Sequence, residues 1–195
     1  MKSYLLSFLS FISLLASCQT PTKSLLISTN GVDSIKIGMS KPDVEKAINA
    51  KLKPYIAPDS ILKNQDTAIM KNACKDCSEN WICNYKGIEL LLTFFRYTMY
   101  QKSDFELVAI TPTSTQAVVE TKGGIKVGIT EKKFIDICKK NKYKYDFDSY
   151  NLSIDLQKRG CFFTDNLNEQ TAKVLMITFS NGIAASLAVV NMIGD

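Results

Sequence analysis

Cysteine is the residue type in this chain whose spacing could support chemistry. Cys74, Cys77 and Cys83 follow one another as C-x2-C-x5-C, while Cys138 and Cys161 stand apart in the second half. A C-x2-C pair can exchange between thiol and disulfide, and three cysteines can bind zinc when a fourth ligand is present. The chain contains no histidine, which excludes Cys-His and Ser-His-Asp sites and removes the commonest metal ligand.

The surroundings of Cys74 and Cys77 favour a structural role over a catalytic one. A redox pair needs a strand before it, a helix after it and a helix N-terminus that lowers the pKa of one thiol. The segment AIMKNACKDCSENW, at 68–81, has none of these patterns, and no fourth zinc ligand is evident. We therefore expect no catalytic residue, no metal and no cofactor, with thiol redox at Cys74 and Cys77 kept as an alternative.

The N-terminus has the parts of a secretory signal peptide at residues 1–17. Lys2 precedes an apolar run over residues 4–16, which is too short to span a membrane stably. The letters LASC at 15–18 resemble the signal box of bacterial lipoproteins. This resemblance implies that Cys18 becomes the first residue of the mature chain and carries lipid, and several acyl chains together anchor a protein firmly.

Residues 18–30 are polar and contain several Ser and Thr, which predicts a tether between the lipid and the folded part. Gln19, rather than an Asp, follows the lipidated cysteine. By resemblance to the enterobacterial sorting rule this implies the outer membrane, and no acidic run that would mark export to the surface follows. We expect a lipid-anchored outer-membrane protein that faces the periplasm.

The composition indicates a globular protein. Of the 195 residues, 46% are hydrophobic and 22% are charged. Lys and Arg number 24 against 19 Asp and Glu, and this net charge of +5 is not typical of a nucleic-acid-binding protein. Lysines cluster in CKKNKYKYD at 138–146, where they can complement the negative end of a helix. An anionic partner, such as a lipid headgroup or a polysaccharide, stays open for this cluster.

One segment of the chain occurs twice. IKIGMSKPDVEKAI, at 35–48, returns as IKVGITEKKFIDIC at 125–138. In each copy an extended piece ends at a glycine, which permits a sharp turn, and Ser40 or Thr130 then caps the N-terminus of a helix. Apolar residues at i, i+3 and i+4 spacing predict that each helix is half-buried.

Strand patterns follow each helix, with hairpin turns predicted at Lys86-Gly87 and Asn181-Gly182. The predicted fold class is α+β, with two tandem repeats, each a helix followed by a three- to four-stranded antiparallel sheet. The two sheets are expected to be continuous or packed side by side. The predicted divisions are the signal peptide at 1–17, the tether at 18–30, repeat 1 at 31–120 and repeat 2 at 121–195.

The first copy resembles the opening of the SmpA/OmlA small outer-membrane lipoproteins through Gly38, Met39, Ser40 and Val44, and the second copy matches more loosely. The doubled arrangement resembles the β-lactamase-inhibitor-protein fold, which implies a concave surface for a protein partner. Each match covers about 14 residues. The pattern departs after the helix, where NAKLKPY replaces the expected Gly-x-Pro.

Five cysteines remain when Cys18 is set aside, and an oxidising envelope favours disulfides among them. Two bridges and one leftover thiol are expected, with the connectivity open. We favour one bridge within CKDCSENWIC and one between Cys138 and Cys161, because the apolar face of the second helix should lie over the strand that carries Cys161.

These observations favour a non-enzymatic protein-binding or assembly-accessory module that uses a sheet face to dock an unidentified protein partner. One alternative is a glycan- or lipid-binding envelope lipoprotein that uses exposed aromatic residues and the lysine cluster. The aromatic-rich region also suits a buried core, and its residues are Trp81, Tyr85, Phe94, Phe95, Tyr97 and Tyr100. The other alternative is a thiol-redox protein.

Overall fold

The structure is a computed structural model that describes residues 24–56, 77–96, 105–113, 118–147, 158–165 and 173–192. Within these ranges the chain forms twelve strands and two helices. In chain order they are β1 (Ser24–Ser28), β2 (Gly31–Val32), β3 (Ile35–Lys36), α1 (Lys41–Ile48), β4 (Lys53–Pro54), β5 (Ser78–Tyr85), β6 (Ile88–Phe95), β7 (Glu106–Pro112), β8 (Val118–Glu120), α2 (Glu131–Asn141), β9 (Lys144–Asp146), β10 (Lys158–Thr164), β11 (Lys173–Ser180) and β12 (Ile183–Asn191).

Eight of the strands form one sheet in the order β4-β5-β6-β7-β12-β11-β10-β9. All neighbours in this sheet are antiparallel. At its centre β7 pairs with β12, and Ile110 lies opposite Val189. Hydrogen bonding therefore continues without a break from the first half of the chain into the second.

A smaller sheet has the order β3-β2-β1-β8. Its central strand β1 pairs in parallel with β8, with Ser24 opposite Val118, and antiparallel with β2. Apolar residues alternate along β1, and Leu25 and Ile27 are fully buried, so one side of this strand packs into the core. The predicted tether at 18–30 therefore overlaps β1, which begins at Ser24.

The predicted fold class, two tandem helix-plus-sheet repeats, is wrong. Among the described residues the chain is mainly β, with twelve strands in two sheets and only two helices, so α+β holds only loosely. The strands of both halves join in one sheet through β7 and β12, whereas all four strands of the small sheet precede residue 121. The strands that follow each helix therefore do not form separate sheets, because the edges of β7 and β12 satisfy each other's backbone hydrogen bonds.

Both helices nevertheless begin at the predicted caps. The hydroxyl oxygens of Ser40 and Thr130 accept hydrogen bonds from the backbone N–H three residues later, at 3.4 and 3.2 Å. Before the caps, Gly38 and Gly128 have φ of +93° and +88°, a region that a residue with a Cβ rarely adopts. The sequence motif thus determines the same local structure at both places.

The predicted hairpin turns are also confirmed. Lys86 and Gly87 have φ of 52° and 85°, and Asn181 and Gly182 have φ of 52° and 73°. Two consecutive residues with positive φ give a turn whose twist matches that of the flanking strands. These turns set the register of β5 against β6 and of β11 against β12.

The core lies on one face of the large sheet, where both helices and the small sheet pack. Phe134 of α2 is fully buried and makes edge-to-face contacts with four aromatic rings at centroid distances between 5.3 and 5.9 Å. These rings belong to Tyr145, Phe147, Phe163 and Phe179. Such contacts add stability beyond burial alone and hold α2 over β9, β10 and β11.

Candidate functional site

The candidate site is the other face of the large sheet, which we call the open face. Residues opposite each other on antiparallel strands point to the same side of a sheet. Ile82 lies opposite Leu91, and Thr93 lies opposite Ala109, which also pairs with Val190. All five of these side chains are half-buried, so this face retains contact with solvent across the β7–β12 junction.

The same pattern continues into the second half of the sheet. Phe162 lies opposite Met176, and Val174 lies opposite Val190. The residues that alternate with them, such as Leu175 and Ile177, are fully buried on the core side. The central residues of the open face are Ile82, Leu91, Thr93, Ala109, Thr111, Phe162, Val174, Met176, Thr178, Ala188 and Val190. Ala188, opposite Met176, is buried, whereas the others are half-buried.

Charged residues on the open face lie at its edges. Lys53 is on the edge strand β4 and Asp146 is on the opposite edge strand β9, while Glu89 and Glu106 lie near strand ends. All four are exposed. An uncharged centre surrounded by a charged rim is the composition that protein–protein interfaces have.

A shallow apolar depression lies where β9, β10 and β11 meet at the edge of the open face. It has a volume of about 220 Å³ and is lined by Phe162, Thr164 and Val174, together with the residues of β9 and Phe163. Its volume suits a single apolar side chain better than a whole small molecule.

The aromatic residues singled out in the sequence lie mainly in the core. Phe94 and Tyr85 are buried, and Trp81 is half-buried and packs against the core with Lys41 Nζ 3.1 Å from its ring centroid. Phe95, opposite Glu106, is half-buried on the open face. Tyr97 and Tyr100 lie outside the described residues.

The described free cysteines are buried thiols. Burial raises the pKa of Cys83 to about 11 and those of Cys138 and Cys161 to about 12. A nucleophilic or redox-active cysteine needs a lowered pKa, because the thiolate is the reacting form. None of these three thiols has that property.

The predicted bridge between Cys138 and Cys161 is not formed in the structure, where both are free thiols. The apolar face of α2 does lie over β10, as predicted, through the contact of Phe134 with Phe163.

Cys77 is buried and disulfide-bonded. Its partner lies outside the described residues, because Cys83, Cys138 and Cys161 are free. Cys74 and the lipid-attachment candidate Cys18 also lie outside the described residues. The bond removes the free thiol of Cys77, and its opening would require a reductant.

In the described part of the chain, no group of three or more Cys, Asp or Glu side chains is placed to hold a metal ion. No described helix is long and apolar enough to cross a membrane. Comparison of the chain with protein-family models, with curated proteins and with solved structures found no match.

The open face could have been found in part from the sequence. Both sides of β6 are apolar over Leu90, Leu91 and Leu92, and such a strand is expected in a sheet covered on both sides. The described elements cover only one side. The missing signal was the strand order, because only the β7–β12 pairing makes the separate apolar stretches one surface.

Proposed function

We propose that this chain is a non-enzymatic protein-binding or assembly-accessory module, anchored by lipid to the outer membrane and facing the periplasm. The observation that carries the proposal is the open face. Its half-buried apolar and threonine side chains run across β5, β6, β7, β12, β11 and β10, with charges only toward the edges.

The contrast between the two faces supports a docking role. On the core side, residues such as Leu92, Ile110 and Val189 are fully buried beneath the helices and the small sheet. On the open face, Leu91, Ala109 and Val190 keep part of their apolar surface in water. Covering that surface with a partner would gain about 25 cal/mol per Å².

The N-terminal pattern supports a membrane anchor. Ser24, the first residue of β1, follows the lipid-attachment candidate Cys18 by six residues. Even fully extended, six residues span at most about 20 Å. A lipid on Cys18 would thus keep the folded part close to the bilayer, where envelope protein partners are concentrated. The likeness of residues 38–44 to SmpA/OmlA lipoproteins agrees with this proposal.

The docking role is tested by co-purification from detergent-solubilised membranes. We expect a stoichiometric protein partner with the wild-type chain and its loss with Leu91→Glu, because a charge in the centre of an interface typically lowers affinity by tenfold or more, roughly 1.4 kcal/mol. Leu26→Glu is the matched control, since Leu26 is 49% exposed on the small sheet. A wild-type protein that purifies alone, or equal loss in both variants, would contradict the proposal.

The anchor is tested separately by metabolic labelling with a palmitate analogue. The wild-type chain should become labelled, and Cys18→Ala should not, because the thioether and the new N-terminus both depend on that cysteine. Equal labelling of the two chains would remove the basis for the proposed location, whatever the outcome of the co-purification.

A further inference from the structure

The positive charge of this protein is concentrated in one segment. Residues 122–144 contain eight lysines against two acidic residues, a net charge of +6, whereas the whole chain has +5; the rest of the chain therefore sums to −1. All eight lysines are exposed: Lys122, Lys126, Lys132, Lys133, Lys139, Lys140, Lys142 and Lys144. We call these eight residues the basic patch.

Helix geometry places the patch on the outside of α2. Lys132, Lys133, Lys139 and Lys140 lie within about 120° of the helix circumference at 100° per residue, opposite the buried Phe134. Gly123 packs against the ring of Tyr143, so the turn that carries Lys122 lies beside the C-terminal end of the helix. The patch therefore extends beyond one helical face.

Few acidic residues flank the patch in the described part of the chain: Glu120 pairs with Lys126 in an isolated β-bridge, and Asp146 follows Lys144 on β9. No lysine of the patch forms an ion pair with a described residue. Of the two acidic residues in the segment, Glu131 pairs with Arg159 at 3.1 Å, outside the patch, and Asp136 alone lies among the lysines. A field of this kind attracts an extended anionic surface.

We propose that the basic patch binds the surface of an anionic lipid bilayer. Lysines act as point charges spread over a convex surface, which suits a diffuse negative surface potential; arginine forks, which recognise single phosphates, are absent from the patch. The choice of a bilayer as the partner of the patch rests on the proposed lipid anchor. The segment from Cys18 to Ser24 is too short to hold the folded part far from the bilayer.

The proposal also gives the protein an orientation. The four helical lysines of the patch lie on the outer side of α2, and α2 packs on the core side of the large sheet. Lys144 of β9 instead lies opposite Thr164 at the rim of the open face. With the patch on the bilayer, the open face points away from the membrane and toward partners.

The test uses the chain from residue 18 to residue 195 with Cys18→Ala, so that neither the signal peptide nor an acyl chain contributes. Its binding is measured by sedimentation with vesicles of phosphatidylcholine with or without about 30 mol% phosphatidylglycerol. We expect binding only to the anionic vesicles, decreasing as salt rises. Replacing Lys132, Lys133, Lys139 and Lys140 by Ala should weaken it by roughly 600-fold, because each lysine near the surface contributes about fivefold.

Two variants keep this test specific. The same four lysines changed to Arg should retain binding, and Ala at the exposed Lys36, Lys46, Lys51 and Lys53 removes equal charge elsewhere and should have a small effect. Equal binding to neutral vesicles, unchanged binding of the Ala variant of the patch, or tighter binding to a soluble polyanion such as heparin would overturn the proposal. Palmitate labelling reports on the anchor independently of all these outcomes.

Discussion

At the residue scale, the buried thiols define what the cysteines can do. Cys83, Cys138 and Cys161 are at most 7% exposed, and burial raises the pKa of each well above the ordinary 9.0. Protonated thiols in an apolar environment contribute packing and not reactivity. Two cysteines of the C-x2-C-x5-C pattern are described: Cys83 is a buried core thiol, and Cys77 forms a disulfide.

This account predicts the labelling of each thiol. In the native protein at pH 7.5, iodoacetamide should leave the peptides of Cys83, Cys138 and Cys161 unmodified, because the thiolate fraction is small and access is blocked. After unfolding without reductant, all three should react. Peptide mass spectrometry is the measurement. Labelling of Cys83 alone after unfolding would show that Cys138 and Cys161 are bridged and would contradict the free thiols.

The same pKa values predict how stability depends on pH. A thiol whose folded-state pKa is raised contributes stability that is complete below the unfolded pKa of about 9 and is lost as pH rises toward 11 or 12. The free energy of unfolding in urea should thus decrease above pH 9, and Cys138→Ala should reduce the steepness of that decrease. A wild-type stability that stays constant between pH 9 and pH 11 would argue against these buried thiols.

At the scale of elements, the helix caps are the clearest link between sequence and structure. Thr130 Oγ1 accepts the Lys133 N–H at 3.2 Å, and α2 ends at Lys142 in the left-handed conformation. Thr130→Ala should lower the free energy of unfolding by about 1 kcal/mol, because one N–H loses its partner. Thr130→Ser keeps the hydroxyl and should cost much less. Urea denaturation measures both, and equal losses would show that the hydroxyl is not the cause.

Local elements could be predicted because their signals are local. Caps, the turns at Gly38 and Gly128 and the two hairpins each depend on the conformational preferences of two to four neighbouring residues. The pairings β7–β12 and β1–β8 join segments far apart in sequence. Any apolar strand with an unpaired edge could pair with β7 or with β1, so no local sequence pattern determines that their partners are β12 and β8.

The open face was only partly foreseeable for the same reason. Alternation along β6 and β11 indicates which residues share a side, such as Leu91 with Thr93 or Val174 with Met176. It does not indicate which side the helices cover. A sheet face was expected to be the docking surface, but its extent across eight strands followed from the strand order.

At the scale of the whole molecule, the continuous sheet predicts a single cooperative unfolding transition. Trp81, the only tryptophan, lies on β5 in the first half, whereas the fully buried Ile177 lies on β11 in the second. Ile177→Val should destabilise by about 1 kcal/mol and shift the Trp81 fluorescence and far-UV circular dichroism transitions equally. Ile183→Val, at a side chain 43% exposed, is the control. An unshifted Trp81 transition would indicate that the halves unfold independently.

The arrangement of surfaces is also a property of the whole molecule. The core side of the large sheet carries α2 with the helical lysines of the basic patch, and the open face lies on the opposite side. A protein with a membrane-directed side and a partner-directed side can bridge a bilayer and a second protein without any catalytic group. Both surfaces depend on the same continuous sheet, since the sheet fixes their directions relative to each other.

Site-specific photo-crosslinking in intact cells tests the docking claim most directly. A benzoylphenylalanine residue replaces Met176 on the open face or, as the control, Leu26 on the outside of the small sheet. The account predicts one discrete protein adduct from position 176 that disappears when Leu91→Glu is added, and no such adduct from position 26. Irradiation that gives no adduct at position 176, or the same adduct from both positions, would contradict it.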